Sequence, residues 1–456
     1  MKNIFLIMLV VFPNFLEAQI PDELTKTEKI YGLSKFWQEV NYNFVYLNKI
    51  DKEKWDEEYK KMIVDVQKTE NDYEYYRLLQ KFCALLKDGH TNVYFPKEVQ
   101  NKILYSDFGE YKIFVSNIDG KAIITRINSK KKEELPIGTE IIKVNGIETM
   151  QYIKENVFPY ISASTKYILE DRGIERMFQG IAGTSFDIEV KFPDGKTRSL
   201  ELIHEKSTEN ELYPPYEKGE LIDFKWINGD IAYMALNSFS NKKIDSLFIS
   251  KLPELFKAKK LIIDLRNNGG GNTGIGRNIF KYLTNDTVLY GLKTQSRLHI
   301  PSFKAWGKSV GARDTVNNAW AKQAYLSYRD NFYHNFPYYP HTIELVSDRI
   351  VVPTVLLIGH NTASAAEDFL IFADNQKHMF KIGEPTYGST GQPMMFELPG
   401  GSIARICTKK DTYPDGKEFV GYGIQPDIKV KKTLSDYIEN KDPALEEAVK
   451  YLKQRK

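Results

Sequence analysis

Leu261-Ile262-Ile263-Asp264-Leu265-Arg266-Asn267-Asn268-Gly269-Gly270-Gly271-Asn272 is an apolar run that ends in polar residues and three glycines. Leu261–Leu265 reads as a strand, and a helical pattern follows over Asn272–Leu283. Glycines at such a turn let the backbone approach a ligand closely and leave N–H groups free to meet negative charge. A second stretch repeats the layout: Val355-Leu356-Leu357-Ile358-Gly359-His360-Asn361-Thr362-Ala363-Ser364-Ala365-Ala366-Glu367-Asp368-Phe369-Leu370. A buried strand, Val351–Ile358, enters a turn of small residues. A helix over Ala365–Asn375 then places Ala366, Phe369, Leu370 and Ala373 on one face. With Ile231–Leu236 as a further strand, residues 223–456 read as an α/β unit.

Ser364 falls at the head of that helix. A serine there can be a nucleophile, with the Ala365 N–H helping to hold an oxyanion. It is also the ideal residue for a plain helix N-cap. The segment alone favours the cap.

Working outward, residues 207–222 hold Tyr213-Pro214-Pro215-Tyr216 and few apolar residues, which reads as a linker. Residues 105–206 carry short β-type runs at Tyr111–Val115, Ala122–Ile127, Ile141–Val144, Phe186–Phe192 and Ser199–His204. Turns fall at Asp119-Gly120, Asn145-Gly146 and Asp194-Gly195. Residues 19–104 read as helical, with Leu78, Phe82, Leu85 and Leu86 on one face. Asp88-Gly89 stops that helix, so His90 sits on the turn beyond it. Residues 296–345 are rich in Trp and Tyr with little periodicity. They read either as a structural insertion or as an aromatic cleft wall.

At the N-terminus, Lys2 precedes an apolar run from Ile4 to Phe12, and Leu16-Glu17-Ala18 follows. This is the layout of a secretory signal peptide over residues 1–18, which implies export to a periplasm or the exterior. No later segment has the ~18 consecutive apolar residues of a membrane span. The 456 residues are long enough for several domains. Sixty-three Lys and Arg against 60 Asp and Glu leave a net charge of +3, which argues against a nucleic-acid binder. Two cysteines, Cys83 and Cys407, are too few for a disulfide framework and read as small buried hydrophobes. The seven histidines show no pair at metal-ligand spacing, so neither metal nor cofactor is expected.

Two resemblances extend this reading. Leu135-Pro136-Ile137-Gly138-Thr139-Glu140-Ile141-Ile142-Lys143-Val144-Asn145-Gly146 is similar to a stretch of PDZ domains, which implies a small module able to bind a peptide C-terminus at its sheet edge. Asp264–Gly271 followed by Thr362–Glu367 resembles the C-terminal processing (tail-specific) serine proteases and their tricorn-core relatives. Gly383-Glu384-Pro385-Thr386-Tyr387-Gly388, Gly423-Ile424-Gln425-Pro426-Asp427 and the closing helix Asp442–Leu452 fit the same family. The resemblance implies a crotonase/ClpP-like catalytic core, Ser364 as nucleophile, and protein or peptide substrates. Its tail-specific branch places a Lys after Gly388, where this chain has Ser389. The tricorn-like branch uses a His, which implies His90 in Asp88-Gly89-His90-Thr91 as general base. An acidic residue to orient it falls near Val420; Glu418 is the candidate, with Asp415 behind it. Gly270 or Gly271, with Ala365, would form the oxyanion hole, and Glu367 would serve the helix terminus. A non-catalytic carrier on the same fold and an acyl-CoA enzyme are the competing functions.

Overall fold

The computed structural model describes residues 23–216 and 219–455. The expected signal peptide lies outside the described residues, and so do two positions of the expected linker. No helix among the described residues is long and apolar enough to cross a membrane.

The core is a six-stranded sheet in the order Ile222–Ile227, Ile231–Leu236, Lys260–Asp264, Thr354–Ile358, Met379–Gly383, Ile428–Lys429. The first pair is antiparallel and every other pair parallel. Parallel strands covered on both faces read as unbroken apolar runs, as Ile231–Leu236 and Thr354–Ile358 do. Alternate residues face opposite ways. Met234, Ile263 and Leu356 pack with the helices Lys243–Leu255, Thr273–Phe280 and Ala365–Ala373. Tyr233, Ile262 and Val355 meet the helix Pro443–Lys453 on the other side. That last helix is tied to the sheet by Arg266, whose guanidinium donates to both carboxylate oxygens of its N-cap residue, Asp442, at 2.8 Å each. The strand expected from Val351 begins only at Thr354, because Pro353 has no N–H for the ladder.

Three helices, Lys26–Asn43, Lys52–Asp65 and Asp72–Ala84, are capped by Thr25, Asp51 and Asn71. They share the core of the α/β unit, with Trp55 stacked on Phe82 at 3.9 Å between ring centroids. Just beyond them, Asn92–Val93 pairs with Ile403–Cys407. This short pairing fixes where the preceding turn, with His90, must lie.

Residues 107–203 form an antiparallel sheet with its own core around Ile113, Ile124, Ile141 and Val190. Two helices, Thr149–Asn156 and Lys166–Glu175, interrupt a region whose pattern reads as β alone. The second carries Gly173, a poor helix former, because Phe158 and Ile153 leave no room for a Cβ there. The aromatic stretch 296–345 folds into helices Pro301–Gly307 and Ala319–Tyr328, with Trp306 and Trp320 half exposed. It joins the rest through Lys293–Arg297, which pairs with Lys410–Thr412.

Candidate active site

Three neighbouring parallel strands, Lys260–Asp264, Thr354–Ile358 and Met379–Gly383, release their following loops at one edge of the sheet. This is where ligands bind in open α/β sheets. The loops carry the glycine run, Ser364 and Thr386–Ser389.

Ser364 holds φ 54°, ψ −122°, a conformation that L-residues rarely adopt and that marks functional turns. Its hydroxyl makes no hydrogen bond among the described residues, so it does not cap the helix it begins. The Glu367 amide donates instead to the Ser364 carbonyl at 2.7 Å. The turn is locked from below: Ala363 N–H donates to the Asn268 carbonyl at 3.0 Å, and Thr362 Oγ1 donates to the Leu265 carbonyl at 2.8 Å. Gly270 presses against it. A Cβ there would lie 2.5 Å from the Ala363 carbonyl and 2.8 Å from Ser364 Cβ and Ala365 N. Of the three amides expected to face an oxyanion, Gly270 N–H is occupied, donating to Asn268 Oδ1 at 2.9 Å. Those of Gly271 and Ala365 have no acceptor among the described residues.

Glu367, fully buried, is the hub of the site. It accepts from Ser364 N–H at 3.0 Å, Gly388 N–H at 2.9 Å and Thr386 Oγ1 at 2.5 Å. Burial pushes its carboxyl up to about 8, against the pull of these donors. It binds the Ser364 turn to the loop that ends in Ser389.

Ser389 Oγ then lies 2.6 Å from His90 Nδ1. Three hydrogen bonds thus connect His90 to the Ser364 amide, by way of Ser389, Gly388 and Glu367, and none joins the imidazole to Ser364 directly among the described residues. Its turn is held by distant residues. Gly89 N–H donates to Ser164 Oγ at 2.9 Å, and Arg405 donates to the Gly89 carbonyl at 3.2 Å. Burial, then the charges of Arg405 and Lys409, lowers the imidazole to about 4. Asp88, fully buried beside it, is raised by burial to about 6 and accepts from Thr91 Oγ1 at 2.6 Å. Lys409 is paired with buried Asp411 at 2.9 Å.

Glu418 is not placed to orient His90. Its carboxylate pairs with Lys49 and Lys410, and it makes no hydrogen bond or ion pair with the imidazole. Two surface cations satisfy it, so nothing draws it inward. The group that does meet Nδ1 is Ser389, at the place where the tail-specific pattern has Lys. That departure was visible in the sequence, but its partner was not, because 299 residues separate Ser389 from His90. Among the described residues, no group of three or more His, Cys, Asp or Glu gathers as a metal site.

Residues 230–430 match the model of peptidase family S41. The chain is 26% identical over 363 residues to a carboxyl-terminal-processing protease of Picosynechococcus sp., covering 78% of this chain and 72% of the relative. A protease of the same description from Synechocystis sp. is 22% identical, covering 93% and 86%. Among solved structures, that of mature CPAF complexed with lactacystin superposes with a TM-score of 0.63 at 15% identity, covering 94% of this chain and 97% of that one; this likeness concerns the fold. The α/β sheet with its two glycine- and serine-bearing loops, together with these matches, marks the chain as a serine-type peptidase whose residues 230–430 are similar to peptidase family S41.

Proposed function

We propose that the chain is an exported serine endopeptidase that cleaves proteins or peptides through an acyl-enzyme on Ser364, with His90 as the general base. The supporting observation is the pairing of an unbonded Ser364 hydroxyl, on a strained turn against Gly270, with a partly buried His90 tied to the same loop system. In this scheme Ser364 Oγ attacks the peptide carbonyl, and His90 Nε2 takes its proton and returns it to the leaving amine. That tautomer carries its hydrogen on Nδ1, which donates to Ser389 Oγ. A hydroxyl in this place orients the ring without adding negative charge. The imidazolium formed in the reaction thus lacks the carboxylate that stabilises it in a Ser-His-Asp arrangement. Gly271 N–H and Ala365 N–H hold the oxyanion, an arrangement in which each donor is worth ~10²–10³ in rate. Water then hydrolyses the acyl-enzyme.

On this reading the core is of the crotonase/ClpP type, and residues 105–206 are a PDZ-like module that adds a peptide C-terminus to its sheet edge. Residues 1–18 direct export and are removed. The test is a fluorophosphonate probe on the purified chain beside Ser364→Ala and His90→Ala. Labelling that requires both residues is expected. Equal labelling of the Ser364→Ala chain overturns the scheme, and labelling kept in His90→Ala assigns the base elsewhere.

A further inference from the structure

A small cavity of about 140 Å³ lies beside the His90 turn, lined among others by Asn92, Ser162 and Tyr387. Tyr387, two residues before Ser389, forms one of its walls, and its ring packs on Gly89. The cavity thus shares a wall with the site described above.

Its surroundings are cationic. Arg172 and Arg176, on the helix Lys166–Glu175 and just past its end, line it directly. Two more arginines stand behind its aromatic walls. Arg77 stacks on Tyr160 at 3.7 Å from the ring centroid, and Arg405 lies over Tyr94 at 5.6 Å. Few carboxylates answer them, and those nearby are engaged. Glu175 pairs with Arg172 at 2.7 Å at the rim. Asp171 is held by His360 and Asn117. Asp88 is bonded to Thr91 beneath the His90 turn. Arg77, Arg176 and Arg405 form no ion pair among the described residues, and Arg405 Nε is buried without a hydrogen-bond partner. Four guanidinium groups stand in or around this pocket and only Arg172 has an ion-pair partner among the described residues, so the pocket favours an anion, and their planar fork suits a carboxylate best. The volume admits one residue-sized group.

We propose that this arginine pocket binds a carboxylate of the peptide substrate, its C-terminus or an acidic side chain, and so seats the chain beside the catalytic turn. The proposal rests on the peptidase reading but is separate from recognition at the edge of the 107–203 sheet. It gives the enzyme a second way of reading negative charge, built from Arg172 and Arg176.

The test is equilibrium binding, which needs no turnover. The Ser364→Ala chain is titrated with fluorescein-labelled Ala-Ala-Glu-Ala-Leu-Ala as the free acid, as the C-terminal amide, and as the free acid with Gln for Glu. Anisotropy is read with and without Arg176→Gln or Arg172→Gln. Arg176 is exposed, so its replacement leaves the fold intact. Either arginine variant is expected to weaken the free acid about tenfold, the loss typical of one charge-assisted hydrogen bond. Weakening in the amide but not the Gln peptide assigns the C-terminus; the reverse assigns the side chain. Equal binding of all three peptides, unchanged binding in both arginine variants, or no saturable binding overturns the pocket. Fluorophosphonate labelling of the chain with Ser364 intact, run in parallel, reports on the peptidase scheme independently.

Discussion

The two turns that meet at the site are built in opposite ways. The Ser364 turn is mostly local: its strand, its strained residue and its carboxylate hub Glu367 lie within fourteen consecutive residues, joined from elsewhere by the glycine run and by the loop Thr386–Gly388. The His90 turn is assembled from afar. Ser164 holds its backbone from one side, Arg405 from another, and Ser389 fixes the ring. A nucleophile turn of the first kind is rigid by construction, since its groups are covalent neighbours. A base of the second kind is only as well placed as the three segments that hold it. Interference with the first should be costlier than equal interference with the second.

Two glycines test this directly. At Gly270 φ is +90°, and an added Cβ would meet backbone atoms of Ala363 and Ala365. Gly270→Ala is expected to cost ~1–3 kcal/mol of stability from the conformation alone. It should also lower kcat/KM at least ~10²-fold, because a shift near 1 Å at the reacting group is that expensive. At Gly89 φ is not positive, and the nearest obstacle is the Tyr387 ring at 2.6 Å, a side chain that can turn aside. Gly89→Ala should lower kcat/KM about tenfold or less, with little change in melting temperature. Equal losses in the two variants, measured on one peptide, would erase the distinction drawn here.

This contrast also explains what could be read from the chain. The strands Ile231–Leu236 and Thr354–Ile358 announce themselves because both their faces are buried, and the turns after them because only small residues fit. The prominence of Ser364 was legible for the same reason. The role of Ser389 was not, since it depends on a contact across 299 residues and on a hydroxyl that has no pattern of its own. The helix Lys166–Glu175 escaped because Gly173 spoils its propensity, while its packing against Phe158 and Ile153 demands that glycine. Glu418 looked eligible by position along the chain, but Lys49, far away in sequence, and Lys410 hold it at the surface.

The His90 side can be sharpened by pH. Its ring is faced by Ser389, by the cations Arg405 and Lys409, and by Asp88 of its own turn. With the folded imidazole lowered to about 4, His90 is neutral and able to accept a proton above that pH. Activity is lost as pH falls through the folded value, so the acidic limb of kcat/KM should lie near pH 4–5 rather than at the ~6.5 of a free histidine. Ser389→Ala should lower kcat ~10-fold with KM nearly unchanged, Ser389→Thr should restore part of it, and the limb should stay in place because burial and the two cations set it. A limb at pH 6–7 in the parent chain would mean that the imidazole keeps its free value or that Asp88, raised to about 6 on the same turn, sets the limb instead, and Asp88→Asn separates the two.

The smallest effect expected is at Glu418. Its carboxylate, a third exposed, bridges Lys49 and Lys410 and is held below the ordinary range by them, although burial opposes this. Surface pairs of this kind contribute ~0–1 kcal/mol. The depressed carboxylate supplies that stability above its unfolded value and loses it as pH falls through the folded one. Glu418→Gln should therefore shift the melting temperature by no more than a few degrees at neutral pH and leave kcat, KM and the acidic limb unchanged. If kcat instead falls as far as in Ser389→Ala, the carboxylate swings inward when substrate binds. The base would then be completed by a third distant segment, so the His90 turn would be still more dependent on long-range assembly than its resting geometry indicates.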